Sequence, residues 1–138
     1  MAGFGQTLRQ NIVNAVLRNV TYTSPTTVYV SLHTADPGVD GQSAGEVSGN
    51  AYARQAVTFG APTAANPSVT SNSGTVTFPT ATPSNWGTIT HFGIWNHVSN
   101  TAAANFIGAS SLSASQVINA GNTASFAAGA LVHNFSSV

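Results

Sequence analysis

The hydrophobic period of this chain changes once, at Ser24-Pro25, and that switch sets the classes of fold open to it. Before it, Phe4, Leu8, Ile12, Val16 and Val20 recur at four-residue steps, with Val13 and Leu17 beside them. Such spacing makes one apolar stripe on a helix of about four turns. The stripe packs either on the chain's own domain or, as the sharper alternative, on a neighbouring subunit. After the switch, Val28, Val30 and Leu32 alternate with Thr27, Tyr29, Ser31 and His33, which is the pattern of a strand with unlike faces.

The segment from Ala35 to Asn50 contains Pro37, several glycines and all three carboxylates, and reads as one long surface loop. A second strand follows over Arg54 to Phe59, closed by Gly60-Ala61-Pro62. A third is expected at Thr75 to Phe78, ended by Pro79 and Pro83. Thr88 to Trp95 is β-branched and aromatic on both faces, so it should be central. Asn105 to Leu112, Gln116 to Asn119, Thr123 to Phe126 and Ala130 to Phe135 complete the expected strands, with Ala61 to Ser73 and Asn96 to Asn105 as loops. The expected fold is mainly β, an antiparallel two-sheet sandwich or jelly roll with one N-terminal helix. Its organisation is read as one domain over residues 1–138, with helix and arm in 1–24 and the sandwich in 25–138. The apolar phases of the clearest strands put Val30, Leu32, Phe59, Phe92, Ile94, Trp95, Phe106 and Leu131 in the core.

Charge decides which functions fit such a domain. Only Arg9, Arg18, Arg54, Asp36, Asp40 and Glu46 carry fixed charge, 4% of the chain against about 25% in an ordinary soluble domain. At 42% hydrophobic content and zero net charge, a packed core is expected rather than disorder. Three arginines and no lysine argue against nucleic-acid binding, which draws on several cations. No basic start followed by an apolar run opens the chain, and no stretch has the length of a membrane span, so neither secretion nor a membrane partner is expected. A neutral surface repels its own copies weakly and suits a protein packed among neighbours.

Catalytic signatures fail one by one. Asp36, Asp40 and Glu46 share one Gly/Pro-rich loop, a poor platform for paired carboxylates. Asp36, Asp40 and Gly41 match positions of a calcium loop, but Gly38 and Val47 stand where ligands are essential. His33, His91, His97 and His133 lack metal-site spacing, and Ser31, His33 and Asp36 form a trio without a nucleophile elbow. No catalytic, cofactor-binding or metal residues are expected, and the chain is read as a non-enzyme. Within the loop, Asp36, Pro37 and Gly38 favour a turn, and Glu46 is the acid spaced to fold back on Arg54. These five residues are read as a structural anchor.

Val28 to Gly38 (VYVSLHTADPG), followed by Glu46 to Val57 (EVSGNAYARQAV), resembles a family of small tailed-phage virion proteins, often labelled tail fibre protein. The likeness continues through Ile89 to Trp95 (ITHFGIW), Phe106 to Gly108, Val117 to Thr123 and Phe126 to Leu131. Similar small β-proteins serve as capsid cement. The resemblance implies a virion component made in the host cytoplasm. The leading expectation is a capsid decoration or cement protein that bridges major capsid protein subunits as a homo-dimer or homo-trimer. A tail, neck or baseplate component that contacts tail proteins is the alternative. A third reading is a host-glycan-binding module using exposed Tyr22, Tyr52 or Trp86.

Overall fold

A computed structural model describes residues 3–42 and 45–135. The chain is mainly β, all strand pairings are antiparallel, and one α-helix lies near the N-terminus. The elements are β1 (Gly3–Phe4), α1 (Gln6–Arg18), β2 (Val28–His33), β3 (Gln55–Val57), β4 (Ser68–Ser71), β5 (Val76–Thr80), β6 (Gly87–Trp95), β7 (Phe106–Ile118), β8 (Thr123–Phe126) and β9 (Val132–Phe135). Five strands form one sheet in the order β1-β7-β6-β2-β3. Two ribbons, β4-β9 and β5-β8, supply the second layer of the sandwich.

The core lies between these layers. Val30 and Leu32 of β2 and Phe92 and Ile94 of β6 meet Val76 and Phe78 of β5, Phe126 of β8 and Leu131. Trp95 and Phe106 are also buried, but they cluster with Ala109 apart from that core. Phe59 is half-buried at the core's edge, because β3 ends at Val57 and only an isolated bridge joins Phe59 to Asn72. The register of β6 against β7 shifts between Ile89 and His91. The extra residues there lie in β7, between Ser111 and Gln116, and Ile89 shares the core of Phe92, three residues away, where strict alternation would separate them.

Several expected boundaries are corrected. The segment from Ala61 to Ser73 is not all loop, since Ser68–Ser71 pairs with β9. The strands expected at Asn105 to Leu112 and Gln116 to Asn119 are one strand, β7, from Phe106 to Ile118. β5 runs through Pro79 to Thr80, which a strand paired only with β8 tolerates because the missing N–H faces no second neighbour. The helix is corrected most. Among its apolar residues only Leu8 is buried, and Val13, Val16 and Leu17 are 51%, 73% and 77% exposed. Asn19 closes α1 in the left-handed conformation, at φ 53°.

Candidate functional site: an arginine clamp and two buried histidines

Beyond Val30 the edge of β2 has no strand partner, because β3 pairs only with Val28, Tyr29 and Val30. The long loop takes over that edge. Thr34 donates its N–H to the Gly45 carbonyl at 2.8 Å, Val47 donates to Leu32 at 2.9 Å, and Glu46 forms an isolated bridge with His33. This pairing brings the Glu46 carboxylate to Arg54.

The two side chains meet bidentately. Arg54 Nε and Nη2 each donate to a Glu46 carboxylate oxygen at 2.7 Å. Arg54 Nη1 donates to the carbonyls of His97 at 3.0 Å and Asn100 at 3.1 Å, and the guanidinium carbon stands 3.8 Å from the centre of the Trp95 ring. The Arg54 side chain is only 2% exposed, so these contacts replace the water it gives up. Tyr52 donates its hydroxyl to Glu46 at 3.3 Å and accepts the Leu32 N–H at 2.9 Å. Burial, and then the Glu46 charge, push the Tyr52 phenol well above its ordinary pKa. The clamp thus ties β2, the loop, the start of β3 and the turn after β6 together around one cation.

The five anchor residues fall into two groups. Glu46 and Arg54 form the clamp. Asp36 accepts the Gly38 N–H at 2.9 Å in its own turn, with Pro37 buried beside it and Gly38 at φ 76°. Asp40 caps another turn by accepting the Gln42 N–H at 3.0 Å.

Behind the clamp lie hydrogen-bonded serine and histidine side chains. Ser31 Oγ is 2.7 Å from His33 Nε2 and accepts the Trp95 indole N–H at 2.8 Å. Ser31 and His33 are both 0% exposed, and His33 Nδ1 has no hydrogen-bond partner. A second pair, Ser110 Oγ and His133 Nδ1, is 2.8 Å apart and also buried. Burial lowers the pKa of each histidine to about 4; at His33 the neighbouring Glu46 opposes that fall in part. Both rings are therefore neutral at pH 7.

A serine beside a neutral histidine looks like a nucleophile and its base, but neither pair opens to a substrate. Asp36, the third member of the trio read from sequence, spends Oδ1 on Gly38. Gly93 seals the first pair from behind. A Cβ there would stand 2.6 Å from Ser31 Oγ, 2.9 Å from His33 Nε2 and 3.0 Å from Trp95 Nε1. Gly93→Ala is therefore expected to lower stability by about 1 to 3 kcal/mol, as measured by urea unfolding. Stability equal to that of the unchanged chain would mean that the network has room to move.

Sequence reasoning missed the carbonyl acceptors at His97 and Asn100 and placed Tyr52 and Trp86 in solvent. Trp86 is 6% exposed and meets Tyr52 edge-on at 5.4 Å, while Tyr52 stacks on Phe78 at 6.1 Å. Trp86 Nε1 donates to the Asn50 carbonyl at 3.0 Å. These rings serve the core, which removes two of the three aromatics expected to meet glycans. Among the described residues no group of three or more His, Asp or Glu side chains is placed to hold a metal ion, and no helix is long and apolar enough to cross a membrane.

The charged cluster of this β-sandwich is engaged in internal bonds. The family model described as podophage GP4 fiber I protein gp80 matches residues 3–134, and the chain belongs to that family of phage virion structural proteins. No curated protein matches the chain.

Proposed function

We propose that this chain is a non-catalytic structural subunit of the tail fibre apparatus of a podophage. The observation that carries this reading is the match of nearly the whole chain to a fibre-protein family. The clamp supports it, because Arg54 and Glu46 are engaged with each other and with backbone rather than presented to a substrate. The near-uncharged surface also suits the other reading, a head cement protein bridging major capsid subunits, and the exposed apolar face of α1 suits either site of attachment. The fibre reading is preferred because the family description names that part of the particle.

Location and copy number separate the two. Purified particles should carry this protein far below the abundance of the major capsid protein, and labelling should fall at the tail. Labelling over the head at capsid-like abundance would replace the fibre reading with the cement reading. With so few fixed charges, attachment is expected to survive a wash at about 1 M salt, where the Debye length falls to ~3 Å. Release at modest ionic strength would show that charge, rather than apolar contact, holds the protein on the particle.

A further inference from the structure

The five-stranded sheet is buried on both faces, but by different things. Val30 and Leu32 of β2 point into the sandwich core, so Ser31 and His33 point to the opposite face, where Trp95 and Phe106 form their own small cluster. The loop after β2 packs against that face. Gly41 lies so close to it that a Cβ there would stand 2.7 Å from the Trp95 ring and 2.6 Å from the Phe106 ring, and Pro37 is fully buried. Two backbone bonds fasten the loop to the edge of β2, at Thr34 and Val47, and a third ties Val39 to Gln6 at the start of α1. The Glu46–Arg54 pair closes it on the other side.

His33 lies at this junction, 0% exposed, with no hydrogen-bond partner for Nδ1. The charged and titratable groups that face it are Glu46 and Asp36 from the loop, Arg54 from the residue before β3, and His91 directly opposite on β6. A second proton on the ring would find no acceptor here. Both oxygens of Glu46 already accept from Arg54, and the guanidinium itself repels the new charge. Water is the remaining means of stabilising an imidazolium. It can reach His33 when the loop lifts, while the core on the far side of the sheet stays closed.

We propose that the loop segment carrying Pro37, Gly41 and Glu46 is an acid-released lid on the outer face of the sheet, which opens when His33 takes up a proton while the sandwich behind it remains folded. Burial holds the pKa of His33 at about 4 with the lid closed, and the ring returns to 6.5 once in water. The closed lid is therefore fully favoured above about pH 6.5 and loses ground as pH falls towards 4. Opening uncovers Trp95 and frees the edge of β2 from Leu32 to Thr34. The device acts wherever on the particle the protein sits.

Hydrogen exchange of the Thr34 and Val47 amides, which bind the lid to β2, tests this against the amides of the β2–β6 ladder. With one proton taken up on opening, the opening equilibrium is expected to rise about tenfold between pH 7.5 and pH 5.5, after correction for intrinsic exchange. Amides of the β2–β6 ladder should keep a higher protection throughout. His33→Gln should remove the pH response of Thr34 and Val47. His133→Gln should retain it, because His133 bonds to Ser110 of β7, away from the loop. Loss of protection at Thr34 and Val47 in step with the ladder would overturn the lid, since the loop would then open only with the whole domain. So would a response that persists in His33→Gln, or one absent from the unchanged chain.

Discussion

Acidification from about pH 7.5 to about pH 4.5 is expected to remove several kcal/mol of folding stability, a large part of the ~5 to 15 kcal/mol that holds a typical domain together. The cause is the two buried histidines. Each has a pKa near 6.5 when the chain is unfolded and about 4 when folded. Between those values the unfolded chain binds protons that the folded chain refuses, so stability rises with pH across that window. The stabilisation is fully present above about pH 6.5, falls as pH drops towards 4, and changes no further through these groups below that. At about 1.4 kcal/mol per pH unit, the displacement from 6.5 to about 4 corresponds to roughly 3 kcal/mol for each histidine. Urea midpoints measured across the range test this expectation. Because carboxylates also titrate at the acid end, His33→Gln and His133→Gln carry the decisive comparison. Each should flatten the profile between pH 6.5 and 5, where Asp and Glu at ordinary values bind few protons. A wild-type profile already flat over that interval would show that the rings take up protons in the folded state.

Much of the sandwich was legible from period alone. β2 alternates in sequence, β6 is apolar on both faces, and seven of the eight residues assigned to the core are buried, Phe59 being the half-buried one. The misses share a physical origin. Ser68–Ser71 is polar and short, and its pairing with β9 depends on a partner more than sixty residues away, which no local pattern reports. β7 contains serine, alanine and glutamine in its second half, and its ladder with β6 breaks between Ser111 and Gln116, so no local apolar pattern marks one strand through that stretch. The helix shows the limit of a spacing argument. Steps of four residues advance about 40° beyond a full turn, so a stripe from Phe4 to Val20 wraps nearly half-way around the axis. It therefore joined residues of the inner face, such as Leu8, to residues of the outer face, such as Val16.

The site was legible where side chains choose one another and hidden where backbone does the choosing. Glu46 and Arg54 could be matched as the charges nearest in the loop. The other two acceptors of Arg54 are main-chain carbonyls at His97 and Asn100, and a carbonyl belongs to every residue, so neither leaves a trace in the sequence. The ring beneath the guanidinium came from a residue assigned correctly to the interior, but its role as a platform for a cation depends on the turn after β6 folding back over it. The fully buried Ser31 and His33 were read as the polar face of β2, with His33 among the candidate metal histidines and both in a chance catalytic trio. Their burial follows from the loop covering the second face of the sheet, a tertiary event that alternation in β2 reports as polar and therefore exposed.

Arg54→Met is expected to be the most damaging single change among the charged residues. Removing the guanidinium leaves the Glu46 carboxylate without its bidentate partner and strips the donor from two carbonyls, while methionine restores only the apolar part of the contact with Trp95. Breaking a fully buried ion pair from one side costs about 3 to 5 kcal/mol. The Glu46 side chain keeps 20% of its surface in water, which lets solvent recover part of the loss, so about 2 to 4 kcal/mol is expected here. Arg18→Met serves as the comparison, since Arg18 is exposed and donates to Asn14 on its own helix; its cost should stay below about 0.5 kcal/mol. The second substitution separates the pair from its surroundings. Glu46→Gln in the Arg54→Met background removes the stranded charge while retaining a donor and an acceptor, and it should restore part of the lost stability. In the unchanged chain, Glu46→Gln should be destabilising, because Arg54 is then the buried charge left behind. Stabilities of the four chains by urea unfolding complete the cycle. Equal costs for Glu46→Gln in both backgrounds would mean that the two side chains do not act as a pair, and the loop would then be held by its backbone bonds to β2 alone.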